Sequence, residues 1–119
     1  HRVVMKPLPE SDWENNKVGI SGPPIKTPNG WFLIYHGVSQ DMVYRQGSAL
    51  LDLEDPTRVL ARQAEPIMEP ELEWERVGHV NNVVFSCGQV VINDTIYVYY
   101  GGADNAIGLA TLKLSDISF

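Results

Sequence analysis

The stretch Lys17–Asp52, KVGISGPPIKTPNGWFLIYHGVSQDMVYRQGSALLD, decides the fold. Pro28-Asn29-Gly30 suits a three-residue hairpin loop, with proline at the first central position of a type I turn and glycine in the left-handed conformation that closes a bulge. That loop sets Thr27 opposite Trp31 and Lys26 opposite Phe32. Carried along the hairpin, the same register puts His36 opposite Gly22, at the open end away from the turn. Lys17 then falls just before the first strand and Tyr44 just after the loop that follows the second. Three polar groups are therefore expected at one edge.

Working outward, Tyr44–Leu53 reads as a third strand, Glu54-Asp55-Pro56-Thr57 as a turn and Val59–Arg62 as a short outer strand. Residues 1–16 open with an apolar run and then turn polar, and Arg2–Leu8 has the look of a last strand belonging to something earlier. Glu65–His79 carries five glutamates, one arginine and two prolines, and charge runs of this kind are commonly solvated connections. From Asn81 the opening pattern returns in NNVVFSCGQVVINDTIYVYYGGADNAIGLATLKL, with a turn at Asn93-Asp94. The expected correspondence matches Lys17 with Asn81, Trp31 with Thr95, His36 with Tyr100 and Gly37 with Gly101, then Gly47 with Gly108 and Ala49 with Ala110. No segment has a helical period. Short strands rich in Val, Ile, Tyr and Phe, used twice over about 17–62 and 81–114, point to an all-β chain of β-propeller blades. Two blades do not close a propeller, which takes four or more. The chain is therefore expected to be a single partial domain, a fragment of a longer enzyme or a unit that assembles, with strand edges left to be covered.

Composition bounds the function. A chain of 119 residues, 44% hydrophobic and 20% charged, suits one globular domain. A net charge of −6 argues against nucleic acid as a partner. No apolar run approaches the ~18 residues of a membrane span, and no leader is visible. The one cysteine, Cys87, excludes an intramolecular disulfide and fits a reducing, cytoplasmic setting; it reads as a small buried residue in a strand rather than a nucleophile. His1, His36 and His79 lack metal-ligand spacing, so no metal is expected. His1 in place of a methionine suggests a partial chain.

The runs KVGISGPPIKTPNGWFLIYHGV, YRQGSALLDLEDPTRVLARQAEPIMEPE, NNVVFSCGQVV and YVYYGGADNAIGLATLKL together resemble the C-terminal part of glycoside hydrolase family 130. The resemblance runs in matching order from Trp13 onward. It implies a five-bladed propeller whose mouth binds a mannose-containing oligosaccharide, cleaved by inorganic phosphate with inversion to give mannose 1-phosphate. Phosphate would be a co-substrate, and no further cofactor is implied. Lys17, His36 and Tyr44 resemble family positions that hold the attacking phosphate, and Asp104 one that contacts the transferred sugar. A lysine charge with imidazole and phenol donors suits a dianion that must be held in line with the anomeric carbon. The general acid that a glycosidic bond requires resembles an aspartate in an earlier blade and is not matched in this chain. Asn81 and Ser86 stand where the family tends to have proline. Two other readings stay open: a hydrolase of the same family, which would activate water, and a non-catalytic propeller piece that binds carbohydrate or completes an assembly. Asp41, His79, Asn81 and Asn82 are further candidates near the mouth, and Lys26, beside the turn, reads as solvated or structural. Association with other copies or with further blades is expected from the exposed edges.

Overall fold

The computed structural model describes all residues, 1–119. Five strands form the first sheet: β1 (Lys17–Ile20), β2 (Ile25–Thr27), β3 (Gly30–Val38), β4 (Tyr44–Leu51) and β5 (Val59–Arg62). Their order is β1-β3-β4-β5, with β2 also paired to β3, and every pairing is antiparallel. A one-turn helix, α1 (Glu73–Arg76), precedes the second sheet, in which β6 (Val84–Ile92), β7 (Thr95–Gly102) and β8 (Ala106–Lys113) follow one another in order. Arg2–Leu8 forms no strand.

The hairpin forms, but its register is shifted from the expected one. Thr27 pairs with Gly30 and Lys26 with Trp31, so the loop is the two residues Pro28-Asn29. The Thr27 hydroxyl stabilises this tighter turn, donating to the Gly30 carbonyl at 2.7 Å and accepting the Asn29 N–H at 3.3 Å. Gly30 has φ 154°, and a Cβ there would lie 2.5 Å from the Leu51 carbonyl oxygen, so only glycine fits. A second shift comes from Ser21-Gly22-Pro23-Pro24. Two prolines in succession cannot donate to a ladder, and residues 21–24 loop out opposite only Leu33 and Ile34. His36 consequently faces Gly19, not Gly22.

The two sheets stack in the same sense. Leu33, Tyr35, Ala49 and Leu51 bury one face of the first sheet beneath Trp13. Phe32 and Ile34, on the opposite face, meet Ile96 and Val98 of β7. The pairs Tyr35–Gly47 and Tyr100–Gly108 occupy equivalent places in the two ladders, so Ile96, Val98 and Tyr100 correspond to Trp31, Leu33 and Tyr35. The second sheet thus lays its front on the back of the first, as successive blades do. The expected match of His36 with Tyr100 is one residue out: Tyr35 is the counterpart of Tyr100, His36 of Gly101 and Lys17 of Val83. Gly47 with Gly108 and Ala49 with Ala110 agree with the ladders. Gln46, 1% exposed, ties the sheets together by accepting from the Ser21 hydroxyl at 2.9 Å and donating to the Val84 carbonyl at 2.6 Å.

Candidate functional site

The ladder positions explain which side chains meet. Val38, near the end of β3, pairs with Lys17 on one side and Tyr44 on the other. One step of the pleat earlier, His36 lies between Gly19 and Gln46. Directly opposed residues share a face, and so do residues two apart. Lys17, His36 and Tyr44 therefore project to the same side at the same end of the sheet. The Lys17 Nζ lies 5.3 Å from the centre of the Tyr44 ring, and the His36 and Tyr44 rings are 6.0 Å apart.

The second sheet supplies the floor. Phe85 of β6 sits 4.5 Å from the His36 ring and 6.2 Å from that of Tyr44. A parallel bridge from Tyr44 to Val83, with the Tyr44 N–H donating to the Asn82 carbonyl at 3.0 Å, fixes the start of β6 against β4. Glycine 19 makes room for the imidazole, because a Cβ there would collide with His36 Cε1 and Nε2. Burial, assisted by the positive charge of Lys17, lowers the His36 pKa from its ordinary value. Nδ1 is buried without a hydrogen-bond partner, which leaves Nε2 as the nitrogen open to a ligand. Lys17 itself is exposed.

Asp104 stands on the turn between β7 and β8 with φ 51°, and it is exposed. The preceding residue, Ala103, donates its N–H to the Val83 carbonyl at 2.9 Å, and Val83 bridges Tyr44. The Asp104 turn thus belongs to the same rim, although its carboxylate forms no hydrogen bond or ion pair with the other three residues. Of the further candidates, Asp41 is engaged by the Ser39 hydroxyl, which holds its carboxyl below the usual range. Asn81 accepts the Gly78 N–H at 3.2 Å, and Lys26 lies over the Trp31 ring at 5.9 Å. A cavity of about 470 Å³ at the opposite end, between the 26–29 turn and Leu114–Phe119, contains none of the site residues.

Two expectations are corrected. Cys87 is exposed, because the alternation of β6, with Val84 and Ser86 buried and Phe85 exposed between them, turns it outward. The Glu65–His79 connection is not wholly solvated: Glu75 is 3% exposed. It accepts the Tyr100 hydroxyl at 2.5 Å and the N–H groups of Glu71 and Leu72, while Trp74 stacks on Tyr100 with ring centres 5.7 Å apart. The first sheet has the same device. Trp13 stacks on Tyr35 at 5.9 Å, and the Tyr35 hydroxyl donates to Glu14 at 2.9 Å. In each copy a glycine, Gly47 or Gly108, faces the indole and phenol so closely that a Cβ would lie 2.7 Å from the tyrosine Cζ. The device was missed in the sequence, where its one trace is an interval: the dipeptides Trp13-Glu14 and Trp74-Glu75 are as far apart as Gly47 and Gly108.

Like-oriented antiparallel sheets that gather polar side chains at one rim define a segment of a β-propeller. The chain belongs to glycoside hydrolase family 130: residues 3–118 match the family profile described as beta-1,4-mannooligosaccharide phosphorylase, and its structural neighbours there are five-bladed propellers. It is 61% identical over its whole length to a 1,2-beta-oligomannan phosphorylase of Thermoanaerobacter sp. (strain X514), of which it covers 40%. Over 98% of its length it superimposes on Listeria innocua beta-1,2-mannobiose phosphorylase in complex with beta-1,2-mannobiose, with a TM-score of 0.94, 40% identity and 33% of that chain covered. A further match, with a TM-score of 0.86, 31% identity and coverage of 98% of this chain and 35% of the other, is a structure from work describing family 130 hydrolases that target beta-1,2 mannosidic linkages in Candida mannan. The chain spans 40% and 35% of the length of the first two curated relatives it matches.

Replacing Gly19 by alanine is expected to push the His36 ring out of place while leaving the fold intact, because the colliding group is the end of a side chain that can turn away. A displaced His36 Cε1 resonance with an unchanged unfolding midpoint would meet this expectation; an unmoved resonance would defeat it.

Proposed function

We propose that the full-length protein cleaves β-mannosides by phosphorolysis, with Lys17, His36 and Tyr44 holding the attacking phosphate and Asp104 contacting the transferred mannose. The observation that carries this reading is the convergence of one cation, one imidazole and one phenol on a single face beside an aromatic floor. Lys17 supplies a full positive charge for the dianion. His36, kept neutral by burial, and Tyr44 supply directed donors that fix its orientation. A phosphate oxygen then forms the bond to the anomeric carbon while the bond to the glycosidic oxygen breaks on the opposite face, giving inversion. The departing oxygen takes its proton from a general acid outside these 119 residues.

The two relatives at 61% identity are named for β-1,2-linked substrates and one at 39% for a β-1,4-linked substrate, so β-1,2-mannobiose is the first compound to try. The intact protein is expected to release mannose 1-phosphate together with one mannose, and only when phosphate is present. Two mannoses per disaccharide, with or without phosphate, would instead establish a hydrolase.

The His36 titration offers a second check. The free imidazole is expected to titrate below about 6.5. A bound phosphate dianion favours the imidazolium, so adding phosphate should move the midpoint upward, as read from the histidine Cε1 shift against pH. A midpoint indifferent to phosphate would remove His36 from the clamp. The sign for stability follows from the same depression. His36 favours the folded state above its unfolded pKa, and that contribution is lost as pH falls through the lower folded value.

A further inference from the structure

We infer that the outer edge of β8 is completed by an antiparallel strand from outside residues 1–119, and that this strand carries an arginine opposite Ala110 which closes on Glu75 and Tyr100. The argument rests on the two copies of the tryptophan-glutamate-tyrosine device. In the first, β5 lies along β4 and Arg62 pairs with Ala49. From there its Nε donates to the Tyr35 hydroxyl oxygen at 3.2 Å, one terminal nitrogen reaches Glu14 Oε2, and the other donates to the Lys6 carbonyl at 2.9 Å. The guanidinium carbon is 5.3 Å from the Tyr35 ring centre. Glu14 Oε2 thus receives two donors, a phenol and a guanidinium.

In the second copy, Ala110 takes the place of Ala49 and Tyr100 that of Tyr35, but β8 ends the sheet. Glu75 Oε2 receives the Tyr100 hydroxyl alone, and no basic group lies within ion-pair range of this carboxylate, although it is 3% exposed. Buried carboxylates ordinarily have a countercharge. The strand that would supply it has its ladder waiting: β8 alternates between half-buried and exposed residues along its whole length, with Ile107 85% and Leu109 50% exposed. An edge of eight residues with apolar side chains is a ready template for pairing. The relatives are long enough to hold the strand, since this chain covers 40% of the first of them. A strand bearing an aliphatic residue at the arginine position would pair with β8 but leave Glu75, held by the Tyr100 hydroxyl and two backbone N–H groups, without a countercharge.

Hydrogen exchange on the full-length protein, followed by peptide and by residue, tests the strand. The β8 amides that point away from β7 are expected to be protected to the same degree as those of β7, at every protein concentration. Free exchange at that edge overturns the inference, and so does protection that fades on dilution, which would assign the edge to a second copy. The crystal structure of the full-length protein then identifies the arginine. Glu75→Gln and the Arg→Met variant, alone and together, should show coupling of about tenfold or more in the unfolding constant. Coupling within about twofold overturns the arginine. Where Arg→Met fails to fold, the wild-type structure decides: a guanidinium out of ion-pair range of Glu75, or a pairing strand without an arginine, overturns it as well.

Discussion

Lys17→Ala in the intact protein is expected to raise the KM for phosphate by about 10- to 100-fold, the loss of one charge-assisted hydrogen bond to a dianion. Mannoside binding measured without phosphate should change by less than about threefold. The separation follows from geometry. Lys17 stands at the first position of β1, its amine held near the Tyr44 ring and on the same face as His36, whereas Asp104 reaches the rim from a different sheet. Arginine at position 17 should restore little, because the long planar head is positioned differently from a compact ammonium. Equal losses in phosphate and mannoside binding would mean that Lys17 shapes the mouth as a whole, and an unchanged phosphate KM would remove it from the clamp.

The largest effect on stability is expected from Glu14→Ala. Glu14 is 1% exposed, and its Oε2 joins Tyr35 and Arg62. Removing it strands a guanidinium whose side chain is 15% exposed and deprives a buried phenol of its acceptor. Breaking a buried pair from one side costs about 3–5 kcal/mol, a large part of the ~5–15 kcal/mol that holds a typical domain. Burial pushes the Tyr35 hydroxyl well above its ordinary pKa, with the Glu14 charge adding to the shift. Arg62→Met combined with Glu14→Leu should recover much of the loss, since no buried charge is then left unpaired. Urea midpoints of the unaltered protein and of the two variants decide the matter; a Glu14→Ala cost below about 1 kcal/mol would show the network to be solvated in the intact protein.

The sequence made the repeat and the gathering of Lys17, His36 and Tyr44 legible, because both depend on strand order and on which end a residue occupies. Those properties survive an error of one residue in register. What did not survive was anything that needed the register itself. The Thr27 hydroxyl tightens the turn, and the paired prolines at 23 and 24 force residues 21–24 to bulge; neither effect follows from the spacing of polar and apolar residues. The tryptophan-glutamate-tyrosine device was hidden for another reason. Its indoles and carboxylates arrive from connections, Trp13 ahead of the first strand and Trp74 within an acidic run, where composition argues for solvent. Burial there is decided by the cavity that Gly47 or Gly108 leaves open, a feature of the partner strand. Phe85 was missed likewise, since its place beside His36 comes from the bridge between Tyr44 and Val83.

Stacking in one sense has a consequence for symmetry. The front of the first sheet, with Val18, Ile20 and Leu33 lining an apolar cavity of about 320 Å³, differs from the back of the second, where Tyr99, Ile107 and Leu109 are exposed. Where one of these ends meets the other, the copies join head to tail, a heterologous contact rather than a two-fold one. Each added copy would contribute two sheets, and no whole number of copies makes the five of the family's ring. Copies of residues 1–119 that meet through these ends are therefore driven toward rings of even parity or toward open filaments, and the odd blade of the complete propeller is what closes the circle at one chain.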